Sequence, residues 1–446
     1  MKGESSVKHN HLSPLVVILL SFLALIALGA FVFWLPISTL PGKQLAFVDA
    51  LFLSTSAVCV TGLSPIADLS ITLSLFGKIW LALLIQIGGL GIVTIAIYVL
   101  VIFGIKIGVT ERYVVKEALN QNNLGGIVRL LKAIIMTTLT IEAVGFVLHF
   151  IVFIQDHSFI SAVGHSAFHT ISAFNNAGFD ILGANSIQAY SDNILFNFAT
   201  MLMIVLGGLG FIVLQDIWKK KSWKHLSLFS HIVVKTSLFL IVVGWLAIKL
   251  LDYGNVTWLQ ALFQSVTART AGFSTVDMSI LHRSTLTIVM FLMFIGASPN
   301  STGGGVKTTT FYTIAKSIWC FLQGKTPIVK NRRIDEVSRI KAFTITLLAM
   351  MSVFIAFVVL SRIEADNPHF DMSFLNLLFE TVSAFGTVGL SLGATPHLMN
   401  ASKLVVALLM FIGRLGPLTI FGVLNRNWGH PSVSNVEFPS ERIIVG

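Results

Sequence analysis

The chain has 446 residues, of which 55% are hydrophobic and only 11% are charged. Soluble domains carry about 25% charged residues, so this composition excludes an ordinary soluble globular protein and an intrinsically disordered one. In a soluble protein, the formal net charge of +10 would favour a nucleic-acid partner. In a polytopic membrane protein it indicates basic cytoplasmic loops instead, so no nucleic-acid partner is expected.

Apolar runs recur in a long, short, long order as far as residue 424. A run of about 20 residues can cross a bilayer, whereas one of about 11 cannot. The order occurs four times, which predicts an all-α integral membrane protein with eight transmembrane helices and four re-entrant pore helices. The runs are Leu15–Phe33, Phe47–Ala57, Ile79–Phe103, Ala133–Ile154, Ala162–Ala173, Ile194–Ile217, Ile232–Leu251, Leu259–Thr267, Leu286–Cys320, Ala342–Leu360, Phe374–Ala384 and Leu404–Leu424.

Lysine and arginine concentrate in the segments that join one repeat to the next, as in the run Lys219, Lys220 and Lys221. The positive-inside rule therefore places both termini and all inter-repeat loops in the cytoplasm, so the short segments dip in from outside. All four repeats would then share one orientation. We expect them to occupy residues 1–104, 105–220, 221–324 and 325–446, the last with a cytoplasmic C-terminus.

Each short run ends in a similar string that closes on glycine followed by Leu or Phe. Non-helical backbone inside a membrane must be buried in protein or line water. Four such strings around a pseudo-fourfold axis would surround one pore, and their carbonyls could replace the hydration shell of a cation. The expected filter residues are Val60, Thr61, Gly62, Asn176, Ala177, Gly178, Thr270, Ala271, Gly272, Thr387, Val388 and Gly389.

Glycine in a membrane protein can also serve close helix packing. We expect that role for the glycines of the second long runs, Gly88, Gly89, Gly207 and Gly208. The filter glycines follow half-length helices, which packing does not explain. Three polar residues of the strings are expected to point away from the ion and brace the loops: Asn175, Asn176 and Arg269.

A resemblance to a known family rests on three motifs. These are Ile-Gly-Gly-Leu-Gly at 87–91, Ser-Ala-Phe-Asn-Asn-Ala-Gly-Phe at 172–179 and Phe-Ile-Gly-Arg-Leu-Gly-Pro-Leu-Thr at 411–419. With the four filter strings, they resemble the Trk/Ktr/HKT superfamily over nearly the whole chain. The likeness is strongest to the membrane subunit of bacterial Ktr potassium uptake systems.

The resemblance implies potassium uptake across the plasma membrane, with sodium affecting transport in some members. It also implies a homodimer with one pore per subunit, regulated by a cytosolic ring subunit that binds nucleotides. The chain contains no recognisable nucleotide-binding domain, so that ring would be a separate protein. No filter string spells Thr-Val-Gly-Tyr-Gly, and only 387–389 comes near it.

Residues 296–307 interrupt a long apolar run with Pro299 and several glycines, which end a helix. A phosphate-binding loop is excluded because Val306, not glycine, precedes Lys307. Gly296 follows Gly272 at the spacing at which Gly413 follows Gly389, so the break lies at the depth of Arg414. The candidate gate residues are Gly296, Ala297, Ser298, Pro299, Asn300, Ser301, Thr302, Gly303, Gly304, Gly305, Lys307 and Arg414.

Our hypothesis is that residues 297–305 form a loop across the pore and that Arg414 holds it closed. An arginine buried in the membrane is costly, and the free carbonyls of a broken helix are suitable partners for it. Movement of the cytosolic ring would then pull the loop aside. The alternatives are a kink without function and an Arg414 that only ties two repeats together.

The rival function is a secondary transporter that couples a solute to sodium. Such a protein is expected to have inverted repeats and broken helices around a midplane site, whereas this sequence shows parallel repeats and one broken helix. An enzyme is not expected, because no catalytic group or metal cluster recurs. Asp49, Glu142 and Glu380 could attract cations or bond to nearby loops. The 219–221 run is either a lipid-facing patch or a docking site for an acidic partner.

Overall fold

The computed structural model describes residues 13–103, 108–119, 125–367 and 373–424. Helices dominate these residues, in four groups that follow one another along the chain. The first group is α1 (Pro14–Trp34), α2 (Phe47–Val58), α3 (Leu75–Leu90) and α4 (Ile92–Ile102), followed by the connecting helix α5 (Val109–Ala118). The second is α6 (Ile127–Asp156), α7 (Phe159–Phe174), α8 (Ile194–Leu209) and α9 (Phe211–Lys220).

The third and fourth groups have the same order. The third is α10 (Leu228–Leu251), α11 (Trp258–Thr267), α12 (Arg283–Phe294) and α13 (Thr308–Leu322). A two-stranded antiparallel hairpin of β1 (Ile328–Val329) and β2 (Arg332–Arg333) follows, and the sequence did not predict it. The fourth is α14 (Glu336–Glu364), α15 (Phe374–Gly386), α16 (Asn400–Leu415) and α17 (Pro417–Leu424).

The first helix of each group is long and apolar enough to cross a membrane by itself. Side chains outside the apolar run fix where these helices begin, because each accepts a hydrogen bond from a free backbone N–H of the first turn. Ser13 caps α1, Ser227 caps α10 and Asp335 caps α14. Many apolar side chains of these helices are exposed, as expected for a surface that faces lipid.

The short helix of each group lies between two longer ones. Within a group it packs against the first helix, as α1 packs against α2. Between groups it packs against the second long segment of the preceding group. The latter contacts are α3 with α7, α8 with α11, α12 with α15, and α16 with α2. Because the last contact returns to the first group, the four groups close into a ring.

The second long segment is broken in all four groups, so the expectation of one broken helix was wrong. Sharp bends of 96°, 99° and 94° separate α3 from α4, α8 from α9 and α16 from α17. Each bend lies at one glycine with positive φ: Gly91 at 86°, Gly210 at 91° and Gly416 at 85°. A residue in this region cannot continue a right-handed helix, so the helix ends and a new one starts in another direction.

The break in the third group differs from the other three in length. Residues 295–307 separate α12 from α13, where the other groups need one glycine. Parallel pairing of Ile295 with Val306 closes the loop at its base. The all-α membrane fold with four pore-helix repeats is confirmed. The two termini, predicted to be cytoplasmic, lie almost wholly outside the described residues.

Candidate ion pathway

The four filter strings meet at the centre of the ring. Their glycines are so close that an added Cβ would contact the next string in turn. At Gly62 the Cβ would lie 2.5 Å from the carbonyl oxygen of Ala177, and at Gly178 it would lie 2.5 Å from that of Ala271. Added Cβ atoms at the other two glycines would overlap the carbonyl oxygens of Val388 and Thr61. The strings therefore surround one axis in the order of the chain.

The backbone of each string has the same unusual conformation. The filter glycines have φ of 93°, 69°, 83° and 95°, and the residue two positions earlier also has positive φ. These earlier residues are Val60, Asn176, Thr270 and Thr387, of which three are β-branched. A β-branched residue with positive φ is strained by about 1–3 kcal/mol and persists only where its surroundings determine the conformation.

Hydroxyl groups from the pore helices hold the strings in this conformation. Ser56 Oγ accepts a hydrogen bond from the Gly62 N–H at 3.1 Å, and Ser383 Oγ accepts one from the Gly389 N–H at 3.1 Å. In the other two repeats the hydroxyl donates to the carbonyl after the glycine, from Ser172 at 2.6 Å and from Thr267 at 2.7 Å. These residues were not predicted from the sequence, although each of the four strings contains one.

Backbone hydrogen bonds connect each string to the end of its own pore helix. The N–H before each filter glycine bonds to a carbonyl near the end of its own pore helix, for example from Thr61 to Ser56 at 2.8 Å. These N–H groups are therefore bonded within their own repeat. The four pore helices end at this ring, so the negative ends of their dipoles lie close to it. The arrangement is suited to a dehydrated cation.

The polar residues expected to brace the filter contact neighbouring helices. Arg269 is buried and donates to the carbonyl oxygens of Ser237 at 3.2 Å and Gly296 at 3.4 Å. Asn175 Nδ2 donates to Gln86 at 2.8 Å and to Glu142 at 3.4 Å. In these positions the side chains connect the strings to the surrounding helices.

Asn176 contacts the next string of the ring. Its amide lies 3.0 Å from Thr270 Oγ1. With its amide nitrogen turned toward Ile204, it also reaches that carbonyl oxygen at 3.1 Å. The side chain thus links the second string to the third string and to α8.

The other two intramembrane acids also have polar partners. The Glu380 carboxylate is fully buried and accepts hydrogen bonds from Ser391 and from Thr395, the latter at 2.9 Å. It therefore holds the loop after the fourth string. Asp49 forms a 2.7 Å ion pair with Lys403, which joins α2 of the first repeat to α16 of the fourth. Lys403 is not among the residues predicted from the sequence.

The loop between α12 and α13 lies directly beneath the filter. Thr302 Oγ1 donates to the Phe174 carbonyl at 3.3 Å, and the Gly304 N–H donates to Thr387 Oγ1 at 2.9 Å. Gly303 is packed against Thr270 so closely that a Cβ would overlap the threonine hydroxyl. The loop therefore contacts three of the four filter strings or their pore helices.

Backbone hydrogen bonds attach the other side of the loop to α8 and α16. The Ser298 N–H donates to the Gly208 carbonyl at 3.0 Å, and the Thr302 N–H donates to the Gly207 carbonyl at 3.3 Å. Gly305 donates to the carbonyl of Gly413 at 3.3 Å. Gly207 and Gly208 thus lie against the loop, in addition to the packing role that their sequence context predicted.

Two cationic side chains also hold the loop in place. Arg414 donates to the Thr302 carbonyl and, from its second nitrogen, to the carbonyls of Gly88 and Gly89, the last at 3.1 Å. It therefore joins the loop and the first repeat to the fourth. Lys307 Nζ donates back to the carbonyl of Gly303 at 2.7 Å. The loop and these cations occupy the space directly beneath the filter.

A group of histidines forms a separate buried network in the second repeat. His149 Nδ1 lies 2.8 Å from Thr170 Oγ1, and His169 Nε2 lies 3.0 Å from Thr200 Oγ1. Among the residues that the structure describes, no group of three or more His, Cys, Asp or Glu side chains could hold a metal ion.

Comparisons with known proteins agree with this architecture. A family model described as TrkH, cation transport protein, matches residues 14–437. The chain is 36% identical to the Ktr system potassium uptake protein B of Bacillus subtilis, with 100% of both chains covered. It is 34% identical to the potassium/sodium uptake protein NtpJ of Enterococcus hirae, with 98% of each covered.

The fold is similar to a solved structure at low sequence identity. The crystal structure of the potassium transporter TrkH from Vibrio parahaemolyticus matches with a TM-score of 0.73 at 19% identity. The match covers 95% of this chain and 87% of that one. The family model and the full-length relatives lead to one conclusion: this chain belongs to the TrkH family of cation transport proteins, and it is a transporter rather than an enzyme.

Proposed function

We propose that the chain takes up potassium ions through the ring of four filter strings. The observation that carries the proposal is the closed ring, in which each filter glycine lies against the carbonyl group before the next one. Rings of backbone carbonyls can replace the hydration shell of potassium. The names of the relatives support potassium as the transported ion, because two of the most similar are Ktr system potassium uptake proteins. The relative NtpJ is named for potassium and sodium, which supports sodium as an ion that affects transport.

Residues 297–305 and Arg414 are the gate in this proposal. The loop obstructs the space under the filter, and the positive charges of Arg414 and Lys307 oppose a cation there. The loop is held mostly by hydrogen bonds between groups of different repeats. These hydrogen bonds can break and re-form together when the loop moves, whereas a continuous helix at the same place would have to unfold.

A separate cytosolic subunit that binds nucleotides moves this gate. The route for its action is α13, which runs from the loop to the exposed hairpin of β1 and β2. The hairpin carries Arg332 and Arg333, and α9 ends in Lys219 and Lys220. These basic surfaces suit an acidic partner on the cytoplasmic side of the plasma membrane. In the proposed assembly two copies of the chain form a homodimer, the repeats keep the predicted boundaries, and no nucleotide binds to this chain.

The test is uptake in a bacterial cell that lacks its own potassium uptake systems. Expression of the chain with a Ktr-type regulatory subunit should restore growth at low potassium and give rubidium uptake, measured with and without sodium. Absence of uptake with every regulatory subunit tried would overturn the proposal. A sodium-coupled solute transporter would show solute uptake without rubidium uptake, which separates that rival.

A further inference from the structure

A basic cleft lies between the connecting helix α5 and the beginning of α6. Its volume is about 440 Å³, and it is lined by Arg112 from α5 and by the first turns of α6, including Arg129 and Lys132. The ion pathway uses none of these residues. By the positive-inside rule, the cleft is on the cytoplasmic side of the membrane.

Within the part of the chain that the structure describes, nearby acids do not neutralise the charge of the cleft. Arg112, Arg129 and Lys132 form no ion pair with any acidic side chain among the described residues. Glu111, the acid next to Arg112 in sequence, lies beside the backbone of Gly108: its Oε2 would be 2.5 Å from a Cβ added to that glycine. Three cations therefore converge on a space that no acidic side chain of the described residues fills.

The beginning of α6 adds hydrogen-bond donors to this charge. The residue before its first turn is Gly126, which has no side chain to cap the helix. The N–H groups of the first turn have no partner within the helix. They and the positive end of the helix dipole favour an anion with oxygen acceptors, such as a phosphate group.

The same face of α6 continues as an apolar surface. Arg129, Lys132, Met136 and Leu139 follow one another at helical spacing, so their side chains lie along one stripe. Met136 is 52% exposed and Leu139 is 55% exposed, and Val147 extends the stripe with 54% exposure. A molecule held by its anionic end in the cleft would therefore lie with an apolar part along α6.

We propose that the cleft binds the headgroup of an anionic phospholipid and that the stripe on α6 carries one of its acyl chains. The basic cleft accounts for the phosphate and the adjoining exposed apolar stripe accounts for the chain, whereas a soluble phosphate would use only the cleft. Basic pockets beside transmembrane helices on the cytoplasmic side suit such headgroups. The site would tie the connection between the first two repeats to the membrane surface.

The test is photo-crosslinking of the full chain in bilayers, with phosphatidylglycerol that carries a diazirine in its acyl chain. Peptide mapping should find the label between residues 133 and 147. A phosphatidylcholine probe with the same acyl chains should label this segment much less. The triple variant Arg112→Gln, Arg129→Gln and Lys132→Gln should lower phosphatidylglycerol labelling there by up to about 100-fold, since each cation contributes about 1 kcal/mol near a membrane.

The matched control removes three charges from the exposed hairpin region, as Lys325→Gln, Arg332→Gln and Arg333→Gln. It should leave labelling of residues 133–147 unchanged. Equal labelling by both headgroups, or no effect of the triple variant at the cleft, would overturn the proposal.

Discussion

The filter strings and the loop beneath them use glycine for opposite purposes. In the filter, each glycine has positive φ and lies against the carbonyl of its neighbour, so four equivalent contacts fix one another. In the loop, Gly303 and Gly304 let the chain approach Thr270 and Thr387, and nothing repeats the arrangement elsewhere in the ring. The part that must keep one geometry is built four times, whereas the part proposed to move is built once.

The two regions also differ in how they are held. The strings are strained, and hydroxyl groups and neighbouring strings hold them in place. The loop depends on hydrogen bonds from Arg414, Lys307 and backbone N–H groups. Removing one contact from a string should therefore distort the filter. Removing one contact from the loop should release the loop. The substitutions below separate these two outcomes.

The largest effect is expected for Gly62→Ala. The added methyl group would meet the Ala177 carbonyl at 2.5 Å and push the ring apart. Overpacking of this kind costs up to about 3 kcal/mol, so rubidium uptake should fall by about 100-fold. The control is Gly42→Ala, which has φ of 78° but no neighbour within 4 Å of the added atom. Equal loss in both variants would mean that backbone strain alone is responsible.

Arg414→Ala should act in the opposite direction. It removes the donor that joins the Thr302 carbonyl to α3, and hydrogen bonds to charged groups contribute about 1.5–3 kcal/mol each. Rubidium uptake without the regulatory subunit should rise by about tenfold or more, because the closed loop loses at least one such bond. The control Arg362→Ala removes an exposed arginine paired with Asp366 and should change nothing. Unchanged uptake in Arg414→Ala would leave the arginine as a structural tie.

Ser383→Ala tests the hydroxyl support of the filter. The Gly389 N–H would lose its 3.1 Å partner, at a cost of about 1 kcal/mol. We expect selectivity for rubidium over sodium to fall by about fivefold, with uptake retained. Ser21→Ala is the matched control, because among the described residues that hydroxyl bonds only to the Val17 carbonyl within α1. A similar change in both would indicate a general loss of packing.

The smallest effect is expected for Gly210→Ala. Its added methyl group would lie 2.6 Å from the Pro299 carbonyl and would disturb the contact between the loop and α8. Uptake without the regulatory subunit should therefore rise by about threefold. Gly416→Ala is the control, since it has a similar φ of 85° but no neighbour among the described residues within 4 Å of the added atom. If both variants behave alike, the bend itself matters and its contact with the loop does not.

The repeat pattern was predictable from the sequence because it is local. Apolar runs of two lengths and a glycine after each short run follow from what a bilayer and a carbonyl ring require. The interruption at 296–307 was also visible, because Pro299 and three successive glycines cannot continue a helix. These features needed no knowledge of which segments meet in space.

The bends at Gly91, Gly210 and Gly416 were not predictable in the same way. A single glycine in an apolar run is compatible with a straight, closely packed helix, and only φ distinguishes a bend from packing. The pairing of Asp49 with Lys403 depends on the first and fourth repeats meeting when the ring closes. Likewise, the hydroxyls of Ser56 and its equivalents have a role only once the strings turn back toward their helices.

The bond between the Gly304 N–H and Thr387 Oγ1 implies a competition between the loop and the ion. Thr387 belongs to a filter string, so its hydroxyl is the kind of oxygen that an ion at the inner end of the filter would need. While the loop donates to that oxygen, the ion has one ligand fewer. Potassium on the inner side should therefore slow closure of the loop, because it competes for the same hydroxyl. The rate at which flux decays after removal of the regulatory subunit would measure the rate of closure.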